Sequence, residues 1–431
     1  MNIRTLSISL LTALSIYTAF DTNAAETGAP VLGTWGLELQ NLSPTLKPGD
    51  DFYRYVNEGW LKTARPVQGL PYSNAFTDAY VRTQGQLNTL VKEILQQSPS
   101  PTSDEAQIAA LYRSYRDYDR RNALGLTPIK PDLDAIYNAS SKEELVRTMA
   151  RPLSPNGVMG FGVITDSKQP ERYVVGIVQN GLSLPGPDYY LAEGEPYISM
   201  RQAYLAYVIN VFQRAGLDRA EQRAAALIDF ETKIAKTYWT PAEQRDVVKS
   251  YHLMSREALS TYAPGMPWQV FFEATGLDMQ GDVLLLTDTA TQKLARLFAD
   301  TDLRVLQDHF AFHLINRVAP FLSEEWENLQ FEFFSKKLAG IPAPQSLENR
   351  AVDFLHKQFG EIFGRVYAKA YFPDSSRQQM NDMVANLREA FRERLQTNAW
   401  MDAPTRAQAL IKLDAIVSQI GFPDQWRDWS A

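Results

Sequence analysis

A chain of 431 residues is longer than one compact core usually supports, so two lobes or one elongated helical body are expected, and an apolar share of 45% gives enough material for a sizeable core. A net charge of −7 without any long run of Lys or Arg argues against nucleic acid as a partner, because phosphate binding relies on clustered positive charge. The absence of Cys excludes disulfides, thiolate ligands and a lipid-modified cysteine, so the fold must be held by packing.

Residues 1–25 carry Arg4, an apolar run from Leu6 to Phe20, and small residues ending at Ala24 and Ala25. That order is expected of a secretory signal peptide, and its core is too short to favour a membrane span over cleavage, an uncleaved anchor being the alternative. Without cysteines the exported product is expected in a bacterial periplasm or medium, with no membrane association after signal removal. Residues 26–46 are polar, with several Gly and Pro, and are expected to be extended. Pro48-Gly49 then makes a turn, an Asp caps the next helix, and Phe52, Tyr55, Val56 and Trp60 share its apolar face.

The spacing predicts a long helix over 75–97 with Phe76, Tyr80, Leu87, Leu90, Val91 and Ile94 inward, broken by Ser98-Pro99-Ser100-Pro101. A second helix over 104–119 is followed by restarts after Pro131 and near Ser141. One β signal stands out. Val158, Phe161 and Val163 precede Asp166-Ser167-Lys168-Gln169-Pro170, and Tyr173, Val174, Val175, Ile177 and Val178 follow it, which predicts a hairpin. Helices are expected over 197–215 and 219–238, two more within 303–338, and two within 351–396 separated at Pro373-Asp374. The last stretch, 398–426, reads as an amphipathic helix with Ala409, Leu413, Ile416 and Ile420 inward, widened by Leu410 and Val417. Asp402 takes its N-cap, Pro404 its first turn, Gly421 the left-handed end, and Pro423 blocks continuation.

Several of these stretches carry neighbours that periodicity does not require. Lys47-Pro48-Gly49-Asp50-Asp51-Phe52-Tyr53-x-Tyr55-Val56-Asn57, with Trp60-Leu61 after it, is one. Gly181-Leu182-x-Leu184-Pro185 with Asp188-Tyr189-Tyr190 is a second. Glu231, Ile234, Ala235, Arg245 and Asp246 form a third, and Trp400-Met401-Asp402-x-x-Thr405-Arg406 to Ile420-Gly421-Phe422-Pro423-Asp424-x-Trp426 a fourth. Together they resemble the amino-terminal domain of the neprilysin-like (endothelin-converting-enzyme-like) zinc metallopeptidases, bacterial type, over residues 47–431. Glu58 stands where that pattern commonly has Gly, and Tyr251-His252 where it has Tyr-Asn. The resemblance implies a mainly α fold, a multi-helix elongated cap lobe with one small antiparallel β-hairpin, which confines peptides over a zinc-binding carboxy-terminal domain absent from these residues.

Zinc peptidase chemistry needs His-Glu-x-x-His on a helix, two imidazoles one turn apart with the Glu taking a proton from metal-bound water. Of the four histidines, His252, His309, His313 and His356, none is followed by Glu. His309 and His313 have ligand spacing, with Glu324 or Glu325 as the nearest later carboxylates, but position 310 is Phe; two half-buried or exposed helix histidines are expected. Gly181-x-Ser183-x-Pro185 approaches a nucleophile elbow, yet ends in Pro and has no assignable Asp and His, so a structural turn is expected. Glu324-Glu325-x-Glu327 reads as a solvated helix start.

No catalytic residue, no metal ligand and no cofactor are therefore expected in this chain, with zinc belonging to the complete enzyme. The resemblance implies substrate contacts from the segment around 70–82, which puts Phe76 in the apolar pocket beside the scissile bond and Arg82 nearby. Pro71 replaces the leading Arg of that pattern and Arg82 is displaced in it; by spacing alone Phe76 is equally a core residue. Three readings follow: the substrate-confining half of a metalloendopeptidase, a non-catalytic peptide-binding or interaction protein derived from one, or an independent hydrolase using carboxylates that sequence cannot pair. Self-association through apolar surface around Trp400, Phe422 and Trp426 is also expected.

Overall fold

A computed structural model describes residues 38–153, 157–277 and 281–429, so the expected signal peptide and the first part of the polar segment lie outside the described residues. The chain divides into two compact units, residues 1–113 with 346–431, and residues 114–345.

In the first unit the helix Ala75–Gln96 lies beside Leu347–Gln358 and Gly360–Tyr371. Asn74 caps it through the Thr77 amide at 3.0 Å. Its buried positions are Thr77, Gln84, Leu87, Leu90, Val91 and Ile94, and half-buried Tyr80 continues the same stripe. Tyr80 donates to Asp353 at 2.9 Å, Gln84 donates to the same carboxylate, and Asn88 donates to Asn349 at 2.7 Å. The stripe therefore runs through Thr77, and Phe76 falls about 100° from it, one residue round the helix. Phe76 is 86% exposed, which corrects the expectation that it points inward.

Two further expectations change here. The helix Phe52–Thr63 starts at an Asp51 cap, but none of its residues is buried and Phe52 lies exposed, so its aromatic face is not a core face. The last helix is Ala403–Asp414, capped by Asp402 through Thr405 N at 2.8 Å, and ends well before Gly421. Arg388 donates to the carbonyls of Leu413 and Asp414, and Arg392 pairs with the Asp414 carboxylate at 2.6 Å, so a neighbouring helix takes the terminal acceptors. Leu413 is the buried residue of this helix, while Ile416 and Val417, expected inward, are exposed. Gly421 does adopt a positive φ of 73°, but to bring the chain against Phe372 rather than to end a helix. Phe422 then meets Phe372 edge-on and stacks with Trp426, with Arg377 over its ring.

The second unit holds the larger core. The hairpin forms as expected, β1 (Met159–Asp166) pairing antiparallel with β2 (Gln169–Gln179) from Met159 opposite Gln179 to Thr165 opposite Tyr173. Two three-residue strands that the sequence did not announce extend it: β3 (His252–Met254) and β4 (Val283–Leu285). The order is β1-β2-β4-β3, with β4 parallel to β2 and antiparallel to β3. Three-residue strands are too short to show alternation, and the wholly buried β4 reads as a plain apolar run.

Tyr197–Arg214, Ala220–Ala235 and Leu303–Val318 pack on one another and share one core with the sheet, and Asp288–Asp300 lies against β2. The 303–318 helix is buried on most sides, the apolar Leu306, Phe310, Ala311, Phe312, Leu314 and Ile315 being joined by the polar Gln307, Asp308 and His309, which marks it as the central element. Glu324–Gln330 continues as a π-helical stretch, Phe331–Leu338, which stacks Phe333 on Tyr207 at 5.1 Å between ring centroids. Glu324 and Glu325 are exposed, as expected of a helix start, but Glu327 is buried. It accepts from Tyr118 at 2.7 Å and pairs with Arg121 at 3.1 Å, which corrects its reading as a solvated charge.

Candidate functional site

Four segments of the 114–345 unit converge on one buried carboxylate. Glu231, on the 220–235 helix, is 0% exposed. Its Oε1 accepts from Ser183 Oγ at 2.6 Å and from His313 Nε2 at 3.1 Å. Its Oε2 accepts from Tyr190 at 2.8 Å and from Tyr204 at 2.9 Å. A carboxylate has lone pairs for all four donors, two on each oxygen. Among the described residues no Lys or Arg pairs with it.

The segment that delivers Ser183 is set by backbone constraints. Gln179, at the end of β2, exchanges two hydrogen bonds with the main chain of Trp239, at 2.8 and 3.2 Å. Gly181 has a φ of 104°, and a Cβ there would lie 3.0 Å from Val158 Cα and 3.2 Å from Ile234, so glycine is required. The Tyr190 hydroxyl accepts from the amides of Ser183 and Leu184 at 3.1 and 2.9 Å while donating to Glu231. Burial first, and Glu231 second, push the Tyr190 and Tyr204 hydroxyls well above the usual phenol range, so both remain donors.

His309 and His313 come from consecutive turns of the 303–318 helix, with ring centroids 4.2 Å apart. His309 is 0% exposed, which corrects its reading as a half-buried or exposed histidine; His313 is partly buried, its side chain 17% exposed. A carbonyl can only accept, so His309 Nε2–H donates to Gly181 O at 2.9 Å and Nδ1 carries the lone pair. That Nδ1 is buried without a hydrogen-bond partner. Burial, then the neighbouring His313, holds the His309 pKa well below the ordinary imidazole range. The carboxylate in reach of the two imidazoles is Glu231; Glu325, proposed from sequence proximity, pairs with Arg214 instead.

The arrangement is not a nucleophilic triad. Ser183 Oγ lies 3.3 Å from His313 Nε2, but both groups donate to the same Glu231 oxygen, so the imidazole presents no free base to the hydroxyl. It is not a peptidase zinc site either. Phe310, wholly buried, stands where such a site carries its proton-accepting Glu, so the residues here do not suit the catalytic zinc of a His-Glu-x-x-His enzyme.

The two residues expected to touch substrate lie in the other unit. Phe76 is on the surface of the 75–96 helix and Arg82 is half-buried on it. Six residues apart, they stand roughly 120° apart round the axis, so the helix does not bring them to one face. The Glu231 cluster escaped sequence reasoning because its members are spread from 183 to 313; the signal available was Glu231 within an apolar helix face.

The model of peptidase family M13, amino-terminal domain, matches residues 48–423. Endothelin-converting enzyme 1 of Bos taurus is 23% identical over 404 residues, covering 90% of this chain and 53% of the relative. Endothelin-converting enzyme-like 1 of Mus musculus is 25% identical over 407 residues, 89% of this chain and 52% of the relative. The chain thus spans about half the length of the curated relatives it matches. The Mycobacterium tuberculosis zinc metalloprotease ZMP1, solved with an inhibitor, superposes with a TM-score of 0.83 at 26% identity over 92% of this chain and 60% of that one. PepO of Lactobacillus rhamnosis, at 17% identity and a TM-score of 0.77 over 89% of this chain and 61% of that one, shares the fold. No helix among the described residues is long and apolar enough to cross a membrane. With a family match running through nearly all of both units, the chain belongs to peptidase family M13.

Proposed function

We propose that these residues form the substrate-confining half of an exported zinc metalloendopeptidase acting on peptides, and that the zinc ligands and general base come from sequence outside them. The observation that carries this reading is the family match over 48–423 in a sequence where no His is followed by Glu. ZMP1, a zinc metalloprotease, extends well beyond the region aligned here, which supports a catalytic part elsewhere. The signal-like residues 1–25 support export.

Quenched fluorescent peptides test the proposal. The purified 431-residue chain, given zinc, is expected to show no chelator-sensitive cleavage, and joining it to a His-Glu-x-x-His lobe is expected to restore it. Chelator-sensitive cleavage by the 431 residues alone overturns the reading; chelator-insensitive cleavage would favour an independent hydrolase. In the joined enzyme, Phe76→Ala should lower kcat/KM for peptides with a large apolar side chain by roughly ten-fold, the worth of one lost apolar contact. An unchanged kcat/KM in a folded variant removes Phe76 from the site.

We also propose that the zinc-bearing half covers the apolar stripe of the Asp374–Gln396 helix. No residue of that helix is buried, and Met380, Met383, Leu387 and Phe391, spaced at helical intervals, are exposed. Left uncovered, a stripe of this kind drives association. The isolated chain is expected to run as dimer or aggregate in light scattering, and Leu387→Lys with Phe391→Glu to shift it to monomer. A monodisperse wild-type monomer that binds no hydrophobic dye counts against a covered face.

A further inference from the structure

We infer that His309, His313 and Glu231 form a structural site for one divalent transition-metal ion of the zinc type, which locks the segment after β2 to the 220–235 and 303–318 helices. The inference is independent of the peptidase reading. Each of the three residues offers one ligand atom, and these atoms all lie within 4.8 Å of one another. In an occupied tetrahedral site with bonds of about 2.0 Å, ligand atoms stand roughly 3.3 Å apart. His313 Nε2 and Glu231 Oε1, at 3.1 Å, already stand near that spacing, and Ser183 Oγ lies beside both, 3.3 Å from the nitrogen and 2.6 Å from the oxygen.

The second observation is the disposition of His309. Metal-bound imidazoles almost always donate their other N–H to a carbonyl or carboxylate, which fixes the tautomer. His309 already does this, donating from Nε2 to Gly181 O, while its Nδ1 lone pair is buried without a partner. An uncompensated acceptor in a wholly buried side chain is costly in an apolar setting and is satisfied by a cation. Glu231 is arranged in the same sense. Tyr190 and Tyr204 hold Oε2, which leaves Oε1 as the single ligating oxygen. Among the described residues the buried carboxylate has no Lys or Arg partner, and a divalent ion would neutralise it. To bind the ion, His313 must present its Nε2 lone pair, so the one proton of the neutral ring moves from Nε2 to Nδ1. His313 and Ser183 are only partly buried and open the entry path. With Phe310 in place of Glu, the ion would have a holding role and no base to activate water.

Cobalt(II) titration of the untagged 431-residue chain, followed by its visible d–d absorption, tests the site. One equivalent with the intense bands of tetrahedral coordination is expected, competed away by zinc. Since losing a residue that touches the ion costs more than the 10–100-fold typical of losing a hydrogen-bond partner of such a residue, His309→Gln and His313→Gln should each weaken binding by about 100-fold or more. His356→Gln, altering an exposed histidine of the other unit, should leave it unchanged. Circular dichroism checks that each variant folds. If His309→Gln does not fold, the more exposed His313→Gln carries the test. A folded wild type that binds no cobalt, or binding that survives His313→Gln, overturns the inference.

Discussion

Glu231→Ala is expected to destabilise the 114–345 unit by about 3–5 kcal/mol, the range for removing one partner from a buried charged network. Four donors lose their acceptor at once: Ser183, His313, Tyr190 and Tyr204. Two of them, Tyr190 and Tyr204, are buried and cannot turn to solvent. Glu231→Gln should lie between alanine and wild type, because the amide offers one acceptor oxygen and sets its NH2 against donors. Tyr204→Phe removes a single hydrogen bond and should cost about 1 kcal/mol. Urea unfolding in chelator-treated buffer measures these values without a bound ion. If Glu231→Ala changes stability by less than the Tyr204→Phe variant, the carboxylate does not organise this core.

Arg121→Ala is expected to have a comparable effect, again about 3–5 kcal/mol, through the charge it leaves behind. The guanidinium is buried and donates to the carbonyls of Leu322, Tyr115 and Pro320 at 2.7, 3.1 and 2.8 Å, as well as pairing with Glu327. It also lies 4.5 Å from the Tyr118 ring centroid. Lysine would not substitute, since one ammonium cannot reach three carbonyls and a carboxylate from a planar fork. The double variant Arg121→Met, Glu327→Leu should recover part of the loss by removing the buried carboxylate together with its cation, while the three carbonyls still lack the guanidinium. Hydrogen exchange resolved by segment locates the effect: faster exchange in 118–138 and 319–330 is expected, with 75–96 unchanged. Uniform protection in Arg121→Ala would show that the pair contributes little.

Much of the fold was legible because it rests on short-range rules. Asp51, Asn74, Ser141, Thr240 and Asp402 all cap helices, and each caps a neighbour three residues on. The hairpin was visible because β-favouring runs flank a polar turn. The family was visible in clusters of identical neighbours, which survive where overall identity is about a quarter. Phase was harder to read. Phe76 fits an apolar periodicity, yet the buried stripe runs through the polar Thr77 and Gln84, because the Asn74 cap takes the Thr77 hydroxyl and Asp353, on a helix some 270 residues away, accepts from Tyr80 and Gln84. The end of the last helix was misread for a related reason: Arg388, which donates to its last carbonyls, belongs to another helix.

The sequence by itself determined the helix content, the hairpin, the family and the lack of a His-Glu-x-x-His motif, since each is written in residues within a few positions of one another. The tertiary structure alone decided which charges are buried and what faces them. Glu231 and Glu327 look like ordinary helical acids until residues from 118 to 313 are folded round them, because the free energy of a buried charge depends on neighbours brought close in space.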